Sequence, residues 1–428
     1  MTFGVTVQHD VLARELFEEL EALPTVDAHE HLVAEAECLK KEADFYTLFE
    51  HYCPGDLVAA GASEQEMAMF ADRKVSQEDR WARFSPYLSR IRTGSYARAA
   101  LIVIRDLLGL PDLDDDTYAE VGRRLRALRQ PGVYQKVLRE RCNIATCIQC
   151  VQLQDMGPSY FYHLAPSEAL VDLCSPADVR RLSERAGRDV CSLADALECM
   201  DAVLAEWRRN PKIVGIKCAQ AYGRSLEFRK VDRSDAERAL QRALKAKGAV
   251  DRQDALMVQD SLMFEMAARA GSLGLPIVIH TGLQAGNYGR IADADPLLLQ
   301  SLIEQNRQTR FDLFHGGTPW VREVAVLAKY FPNVYLNMAW MHIISPTQAQ
   351  AALAEWLDMV PNTKVFGFGG DYSIVEKVYG HLQIAREDIA CVLAQKVHEG
   401  AWSRAEASLV ARRLMRDNPA EFYRIPLD

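Results

Sequence analysis

The feature of this sequence that most constrains its fold is a succession of eight short apolar segments, most of which end in polar residues and are separated by helical patterns. The predicted strands are Thr25–Ala28, Ile144–Cys150, Leu164–Leu173, Lys212–Lys217, Pro276–His280, Phe311–His315, Asn333–Met338 and Lys364–Gly369. Eight strands that alternate with helices are typical of an α/β protein built as a (β/α)8 TIM barrel. An open doubly wound sheet would need a glycine-rich phosphate loop after its first strand, and the sequence has none there.

A long helical insertion separates the first two predicted strands. Apolar residues recur at helical spacing in Asp44–Tyr52, Ser63–Asp72, Ser76–Arg92, Tyr96–Leu108 and Asp116–Leu128. We therefore expect residues 1–32 to hold an N-terminal helix and strand 1, residues 33–141 to form a helical cap subdomain, and residues 142–428 to complete the barrel.

Composition and charge restrict the class of partner. The chain has 428 residues, 49% of them hydrophobic and 25% charged, which is ordinary for a globular protein with a large core. The formal net charge of −9 repels nucleic acid, and no basic cluster with interleaved aromatic residues opposes that repulsion. We expect a small-molecule substrate, no nucleic-acid or membrane partner, and assembly into a homo-oligomer.

The cysteines and the N-terminus predict the compartment. The ten cysteines are scattered, and Cys142, Cys147 and Cys150 fall in or beside an apolar segment rather than in paired CxxC motifs. This pattern favours free thiols in a reducing compartment over a zinc or disulfide framework. Residues 1–10 show neither the basic nor the apolar region of a signal peptide, so we expect a cytoplasmic protein.

Two histidines follow the first strand in the sequence Val26-Asp27-Ala28-His29-Glu30-His31. Side chains alternate along an extended strand, so His29 and His31 point to the same face and can bind one metal ion together. The same motif also occurs as two ordinary polar residues at a strand end. The ends of the other strands decide between these interpretations.

Three further strands end in residues that bind metals. His280 emerges from strand 5, His315 from strand 6, and Asp371 follows strand 8. Catalytic groups of a (β/α)8 barrel come from the C-terminal ends of different strands, where eight loops converge. Four histidines and one aspartate at matching ends predict a metal centre, and imidazole and carboxylate ligands suit zinc, manganese, iron or nickel.

These residues resemble a known signature. The pattern of His29-x-His31, His280, His315 and Asp371 is similar to that of the amidohydrolase superfamily, and the resemblance extends over the chain from Thr25 onward. The insertion, the segment Gly215-Ile216-Lys217 with Ala221-Tyr222 after it, and the segment His280-Thr281-Gly282-Leu283-Gln284 resemble the uronate-isomerase-like, or amidohydrolase 2, group. In that group an arginine directly follows the Ala-Tyr pair, whereas Gly223 intervenes here.

The resemblance implies one or two divalent ions, with zinc as the first expectation and manganese, iron or nickel as alternatives. The implied ligands are His29, His31, Lys217, His280, His315 and Asp371. A second ion requires carboxylation of Lys217, because an ammonium group cannot bind a metal. The alternative for Lys217 is an ion pair with a substrate carboxylate or a neighbouring acid. With one ion, His315 would contact the substrate or the reacting oxygen instead.

We expect a metal-dependent hydrolase of the amidohydrolase type that cleaves a C–N bond, such as an amide or γ-glutamyl linkage. A bound metal lowers the pKa of water from about 15.7 toward 7, and Asp371 is the expected general acid and base. His315 is the second catalytic candidate. The alternatives are a uronate-type sugar-acid isomerase and a metal-dependent decarboxylase, whereas the intact ligand set argues against a barrel that serves only as a scaffold.

Loop residues near the predicted site are candidates for substrate binding. They are Tyr222, Arg224, Gln284, Asn287 and Trp340. The polar side chains could bind substrate oxygens or a carboxylate, and Trp340 could form an aromatic wall. Plain solvation of the loop residues and packing of Trp340 against the insertion are the alternatives.

Overall fold

The computed structural model describes residues 7–150, 153–246 and 250–427. Eight parallel strands form one sheet whose spatial order follows the chain from β1 to β8. The strands are β1 (Thr25–Glu30), β2 (Ile144–Gln149), β3 (Phe161–Pro166), β4 (Ile213–Cys218), β5 (Ile277–His280), β6 (Phe311–Phe314), β7 (Val334–Asn337) and β8 (Val365–Phe366). Helices lie between most pairs of consecutive strands, although the described residues between β2 and β3 hold none, and the arrangement is the predicted (β/α)8 barrel.

The prediction of the third strand was wrong in its bounds. The strand ends at Pro166 rather than extending to residue 173, and Glu168–Val171 is a helical turn. Pro166 has no N–H for the next rung of the ladder. The carbonyl oxygen of Ser167 then accepts hydrogen bonds from the backbone N–H groups of Leu170 and Val171, so the apolar segment continues as a helix.

The barrel closes where the segment after β8 meets β1. The N–H of Ala28 donates to the carbonyl of Phe368 at 3.2 Å, and the N–H of Asp371 donates to the carbonyl of His29 at 2.8 Å. Further along, the N–H of His31 donates to the carbonyl of Tyr372 at 3.1 Å. Backbone hydrogen bonds therefore continue past the two paired residues of β8 and join the first and last strands.

Helices cover the outside of the barrel. The α-helices before β1 and after β2 are Val11–Ala22, Glu168–Val171, Pro176–Ala186, Leu193–Arg209, Arg233–Lys245, Arg252–Leu273, Gln300–Gln305, Val321–Tyr330, Met341–Ile344, Pro346–Met359, Val375–His398, Arg404–Arg412 and Asn418–Tyr423. Short 3-10 turns occur at Gln220–Tyr222, Ile291–Ala294, Pro296–Leu299, His315–Gly317 and Asn362–Lys364, and a π-helix at Arg413–Asp417. Within the described ranges, no helix combines the length and apolarity needed to cross a membrane.

The chain between β1 and β2 is helical. Its elements are Glu35–Leu39, Phe45–Phe49, Cys53–Ala59, Glu64–Ala71, Gln77–Ile91, Ser95–Asp106, Tyr118–Leu128 and Gln135–Arg141. An apolar cluster of its own, rich in aromatic rings, holds most of this insertion together. Phe84 lies at its centre, with its ring centroid 5.0 Å from that of Phe49 and 5.6 Å from that of Phe70.

A buried ion pair joins the insertion to the barrel. Arg129 donates from Nε and Nη2 to the two carboxylate oxygens of Glu376, at 2.7 and 2.9 Å. Both side chains are buried, and Glu376 lies in the first turn of the long helix Val375–His398. Two parallel hydrogen bonds between a guanidinium and a carboxylate fix both the distance and the orientation of the two groups.

Replacing Arg129 by Met should therefore lower the free energy of unfolding by about 3–5 kcal/mol, because the Glu376 carboxylate would remain buried without its partner. Urea denaturation measures the change. Arg92→Met is the matched control, since its pair with Asp112 is more than a third exposed and should cost less than about 1 kcal/mol. Equal losses in the two variants would contradict a special role for the buried pair.

Candidate active site and metal centre

A cavity of about 450 Å³ opens at the C-terminal ends of the strands. Its wall is formed by His29, His31, His51, Tyr52, Cys150, Pro166, Glu168, Lys217, Ala219, Tyr222, His280, Ala285, His315, Asp371 and Ser373. All six predicted metal ligands lie on this wall. Residues up to about 340 positions apart in sequence thus share one cavity, at the face where such barrels carry their active sites.

Three of these side chains converge on one point. The Nε2 atoms of His29 and His31 lie 3.2 and 3.0 Å from the same oxygen, Oδ1 of Asp371. The rings of the two histidines stand nearly perpendicular, with their centroids 4.9 Å apart. His29 and Asp371 are buried, whereas the side chain of His31 is 37% exposed and faces the cavity.

The charges of this group suit a divalent cation. Burial and the nearby Lys217 ammonium hold the pKa of His29 well below its usual range, so its imidazole is neutral. Burial alone would raise the pKa of Asp371, but its contacts with His29 and His31 outweigh burial and keep the carboxylate ionised. A neutral imidazole and an ionised carboxylate are the forms in which these side chains bind metals. The residues therefore fit a metal ion.

His280 and His315 form a pair. His280 Nδ1 lies 3.0 Å from His315 Nε2, and the remaining nitrogens lie 2.9 Å from the carbonyl oxygens of Leu283 and Ala339. A carbonyl oxygen only accepts, so each ring places its one proton on the nitrogen that faces a carbonyl. Two nitrogens without protons then face each other, and a hydrogen bond between them requires one additional proton. The pair is therefore a proton acceptor.

The surroundings of the two histidines lower their pKa values and so oppose the uptake of that proton. Burial and Lys217 lower the pKa of His280 to about 3, and burial and His280 hold the pKa of His315 well below its usual range. A positive charge on the pair is opposed by the lack of water and by the ammonium in the same cavity. An anion in the cavity would relieve both effects.

Lys217 is the buried cation of this cavity. Its Nζ atom has no hydrogen-bond partner among the described residues and lies 3.9 Å from the centroid of the Phe314 ring. Contact with an aromatic face replaces only part of the hydration that a buried ammonium loses. Lys217 is also the one Lys or Arg among the described residues that line the cavity. A ligand with a negative charge would complete its environment.

Two buried carboxyl groups on β1 position Asp371. The backbone N–H groups of Gly370 and Tyr372 donate to Asp27 and Glu30 at 3.1 and 2.7 Å, so the residues on both sides of Asp371 are held. Burial and the neighbouring Asp27 raise the pKa of Glu30 well above its usual range, and Glu30 therefore keeps a proton that it can share with Asp27. A side chain at position 370 would collide with the Glu30 carboxyl group, which explains the glycine there.

The five candidates for substrate binding lie in different places. Tyr222 lines the cavity, and its ring centroid is 4.6 Å from that of His280. Arg224 is ion-paired with Asp260 at 2.6 Å and lines a neighbouring cavity. Gln284 and Asn287 donate hydrogen bonds to the backbone carbonyls of Ala221 and Gly55. Trp340 is buried behind the wall, with its ring stacked on that of Tyr52 at 4.5 Å.

Four further residues of the wall, namely His51, Tyr52, Cys150 and Glu168, had not been assigned to the site from the sequence. His51 and Tyr52 come from the insertion, and the Tyr52 hydroxyl donates to the carbonyl of Asp371 at 2.7 Å. Glu168 follows β3, where the overlong strand prediction concealed a strand end. Cys150 follows β2, and the rule that strand ends carry functional groups would have identified it. Its Sγ atom and one ring nitrogen from each of His29 and His31 all lie within 4.8 Å of one another.

A (β/α)8 barrel with a His-x-His pair on β1 and an aspartate after β8 defines a class of metal-dependent enzymes, the amidohydrolase-type barrels. The family model Amidohydro_2, described as amidohydrolase, matches residues 173–425. This protein belongs to that family.

Similar proteins are found among curated sequences and solved structures. The chain is 26% identical over 234 residues to protein fluG of Emericella nidulans, an alignment that covers 52% of this chain and 27% of fluG, about a quarter of that protein. It is 20% identical over 455 residues to the uronate isomerase of Cutibacterium acnes, covering 96% and 95% of the two chains. The glucuronate isomerase of Caulobacter crescentus superimposes with a TM-score of 0.80 at 19% identity, covering 97% and 94%. The uronate isomerase of Thermotoga maritima does so with a TM-score of 0.77 at 16% identity, covering 96% and 97%. The solved structures show a shared fold.

The double variant His29→Ala/His31→Ala should bind a divalent metal ion more than about 100-fold more weakly than the wild-type protein. The reason is that the loss of an outer-shell partner alone lowers metal affinity by about 10- to 100-fold, and here two ligands are removed. Metal analysis after dialysis measures the content. His163→Ala, which alters a strand histidine outside the cavity, is the matched control. Full metal content in the double variant would place the ion elsewhere.

Glu30→Leu should weaken metal binding by about 10- to 100-fold, because Tyr372 N–H and Asp27 both lose their partner and Asp371 is no longer held. Glu30→Gln should retain most of the affinity, since its amide can accept from Tyr372 and donate to Asp27. Competition with a chelator measures both. Equal affinities for the two variants would show that Glu30 does not position Asp371.

Proposed function

We propose that this protein is a metal-dependent isomerase of sugar acids that interconverts the aldose and ketose forms of a uronate. The observation that carries the proposal is the buried ammonium of Lys217, which has no hydrogen-bond partner among the described residues and shares a cavity with His29, His31 and Asp371. A uronate has a carboxylate for the ammonium, and a carbonyl and hydroxyl groups for the metal. The likeness to uronate isomerases over nearly the full length of both chains supports the same substrate class.

Each end of such a substrate has a partner on the cavity wall. The carboxylate pairs with Lys217, and the phenol of Tyr222, which is half exposed, lies beside His280 to contact hydroxyl groups. An ion pair formed away from water is stronger than one at the surface, and it orients the sugar chain across the cavity. His51 and Tyr52 limit the cavity on the side of the insertion.

Isomerisation moves one proton between neighbouring carbons. His29, His31 and Asp371 would hold a divalent ion, which would polarise the substrate carbonyl and so acidify the adjacent C–H bond. We assign the base to the pair of His280 and His315, because it lacks one proton for its own hydrogen bond and because a substrate carboxylate at Lys217 would offset the positive charge that lowers the pKa of the pair. The pair takes the proton from the hydroxyl-bearing carbon and returns it to the former carbonyl carbon. The hydroxyl proton moves to the carbonyl oxygen, so the reaction needs no water.

Hydrolysis of a C–N bond is the second candidate function. It is favoured by the position of Lys217 at the end of β4, where a carboxylated lysine can bridge two ions. Asp371 would then activate water and protonate the leaving amine. Hydrolysis receives less support than isomerisation, because a curated protein that matches this chain from end to end is named a uronate isomerase.

The metal-loaded enzyme should convert D-glucuronate or D-galacturonate into the corresponding ketose, detected by proton NMR. Lys217→Met should lower kcat/KM by about 10- to 150-fold, the effect of losing one hydrogen bond to a charged group. Lys212→Met, which alters a lysine next to the opposite end of β4, should leave it unchanged. Release of amine from γ-glutamyl amides, without ketose formation from either uronate, would establish hydrolysis instead.

A further inference from the structure

The end of β2 places a cysteine beside the metal-binding histidines. In the parallel pair of β1 and β2, Glu30 lies opposite Gln149. The backbone N–H of Cys150 donates to the carbonyl of Glu30 at 2.8 Å, which anchors the residue that follows the strand. Cys150 therefore lies next to His31, at the C-terminal ends of β2 and β1.

The thiol is within reach of the ion that the histidines would bind. The Sγ atom of Cys150 and one nitrogen from each of His29 and His31 all lie within 4.8 Å of one another. Around one tetrahedral zinc ion such atoms would be about 3.3–3.6 Å apart, given Zn–N and Zn–S bonds of about 2.1 and 2.3 Å. The observed separations, up to 4.8 Å, exceed these values by about 1.5 Å at most, and a rotation about the Cα–Cβ bond of Cys150 can move its sulfur atom that far.

We propose that Cys150 is a thiolate ligand of the metal ion held by His29 and His31, so that the centre has a His2Cys donor set completed by Asp371. The inference rests on the metal centre of the proposed function, but not on the reaction or its substrate. It adds a ligand that the pattern of histidines and aspartate does not include. His29, His31 and Asp371 keep the roles of ligands that the site geometry supports.

A thiolate ligand changes which metal the protein selects. Sulfur is a soft donor that favours zinc and cobalt, whereas a site with only imidazole and carboxylate ligands also suits manganese. Cys150 therefore makes this centre selective for zinc over manganese. The selectivity is a property of the protein's own ligands and can be measured without a substrate.

The test uses the full-length protein stripped of metal and reconstituted with Co²⁺. A thiolate bound to Co²⁺ gives a charge-transfer absorption in the near ultraviolet, which imidazole and carboxylate ligands do not give. The wild-type protein and Cys174→Ser should both show this band, because Cys174 lies in another cavity. Cys150→Ser should bind Co²⁺ without the band. A band of equal intensity in Cys150→Ser, or the lack of a band in wild-type protein with bound Co²⁺, would overturn the proposal.

Competition with a chelator gives a second readout. Cys150→Ser should weaken zinc binding by at least about 10-fold, by comparison with the loss of an outer-shell partner, and should leave manganese binding nearly unchanged. Equal weakening of both ions would indicate a general disturbance of the site and would overturn the proposal. These results are independent of the isomerase assay, so a protein that shows the thiolate band but does not isomerise uronates would disprove only the proposed reaction.

Discussion

The backbone hydrogen bonds that join β1 to the segment after β8 are the interaction on which the site depends. They close the barrel, and the bond from the N–H of Asp371 to the carbonyl of His29 makes neighbours of residues that lie at opposite ends of the chain. Asp27 and Glu30 reinforce this seam by accepting from the N–H groups on both sides of Asp371. Asp371 itself has a positive φ of 58°, a conformation that the surrounding bonds must maintain.

Burial determines the chemistry of the cavity. It keeps the imidazole of His29 neutral, whereas contacts with the histidines keep Asp371 ionised. It also leaves Lys217 without a hydrogen-bond partner in the described part of the chain, and it disfavours the proton that the pair of His280 and His315 needs. The cavity thus combines a buried ammonium, a proton acceptor and side chains whose protonation states fit a metal ion, and each of the three needs a charged or polar partner. A polar, anionic ligand together with a cation at the histidines satisfies all three.

The insertion contributes to the wall of the site as well as to the stability of the protein. Tyr52 donates to the carbonyl of Asp371, and its ring lies against that of Trp340, which contacts His315 edge to face at a centroid distance of 5.2 Å. The ion pair of Arg129 and Glu376 also joins the insertion to the helix Val375–His398, which begins four residues after Asp371. A change in the packing of the insertion would therefore reach the backbone of Asp371 directly, through a single hydrogen bond.

The sequence by itself determined the barrel, seven of its strands and the residues at their ends, because strand periodicity and the alternation with helices are local properties. It predicted for the same reason that His29, His31, His280, His315 and Asp371 would lie together, since each stands near the C-terminal end of an apolar strand, and all five line one cavity. Only the tertiary structure decided that β3 ends at Pro166, that Tyr52 reaches the site, and that Cys150 lies beside His31. It also showed that the two cationic candidates differ: Arg224 is paired with Asp260, whereas Lys217 has no hydrogen-bond partner among the described residues. Strand register, barrel closure and ion pairing depend on contacts between residues that are distant in sequence, and a local sequence pattern does not predict such contacts.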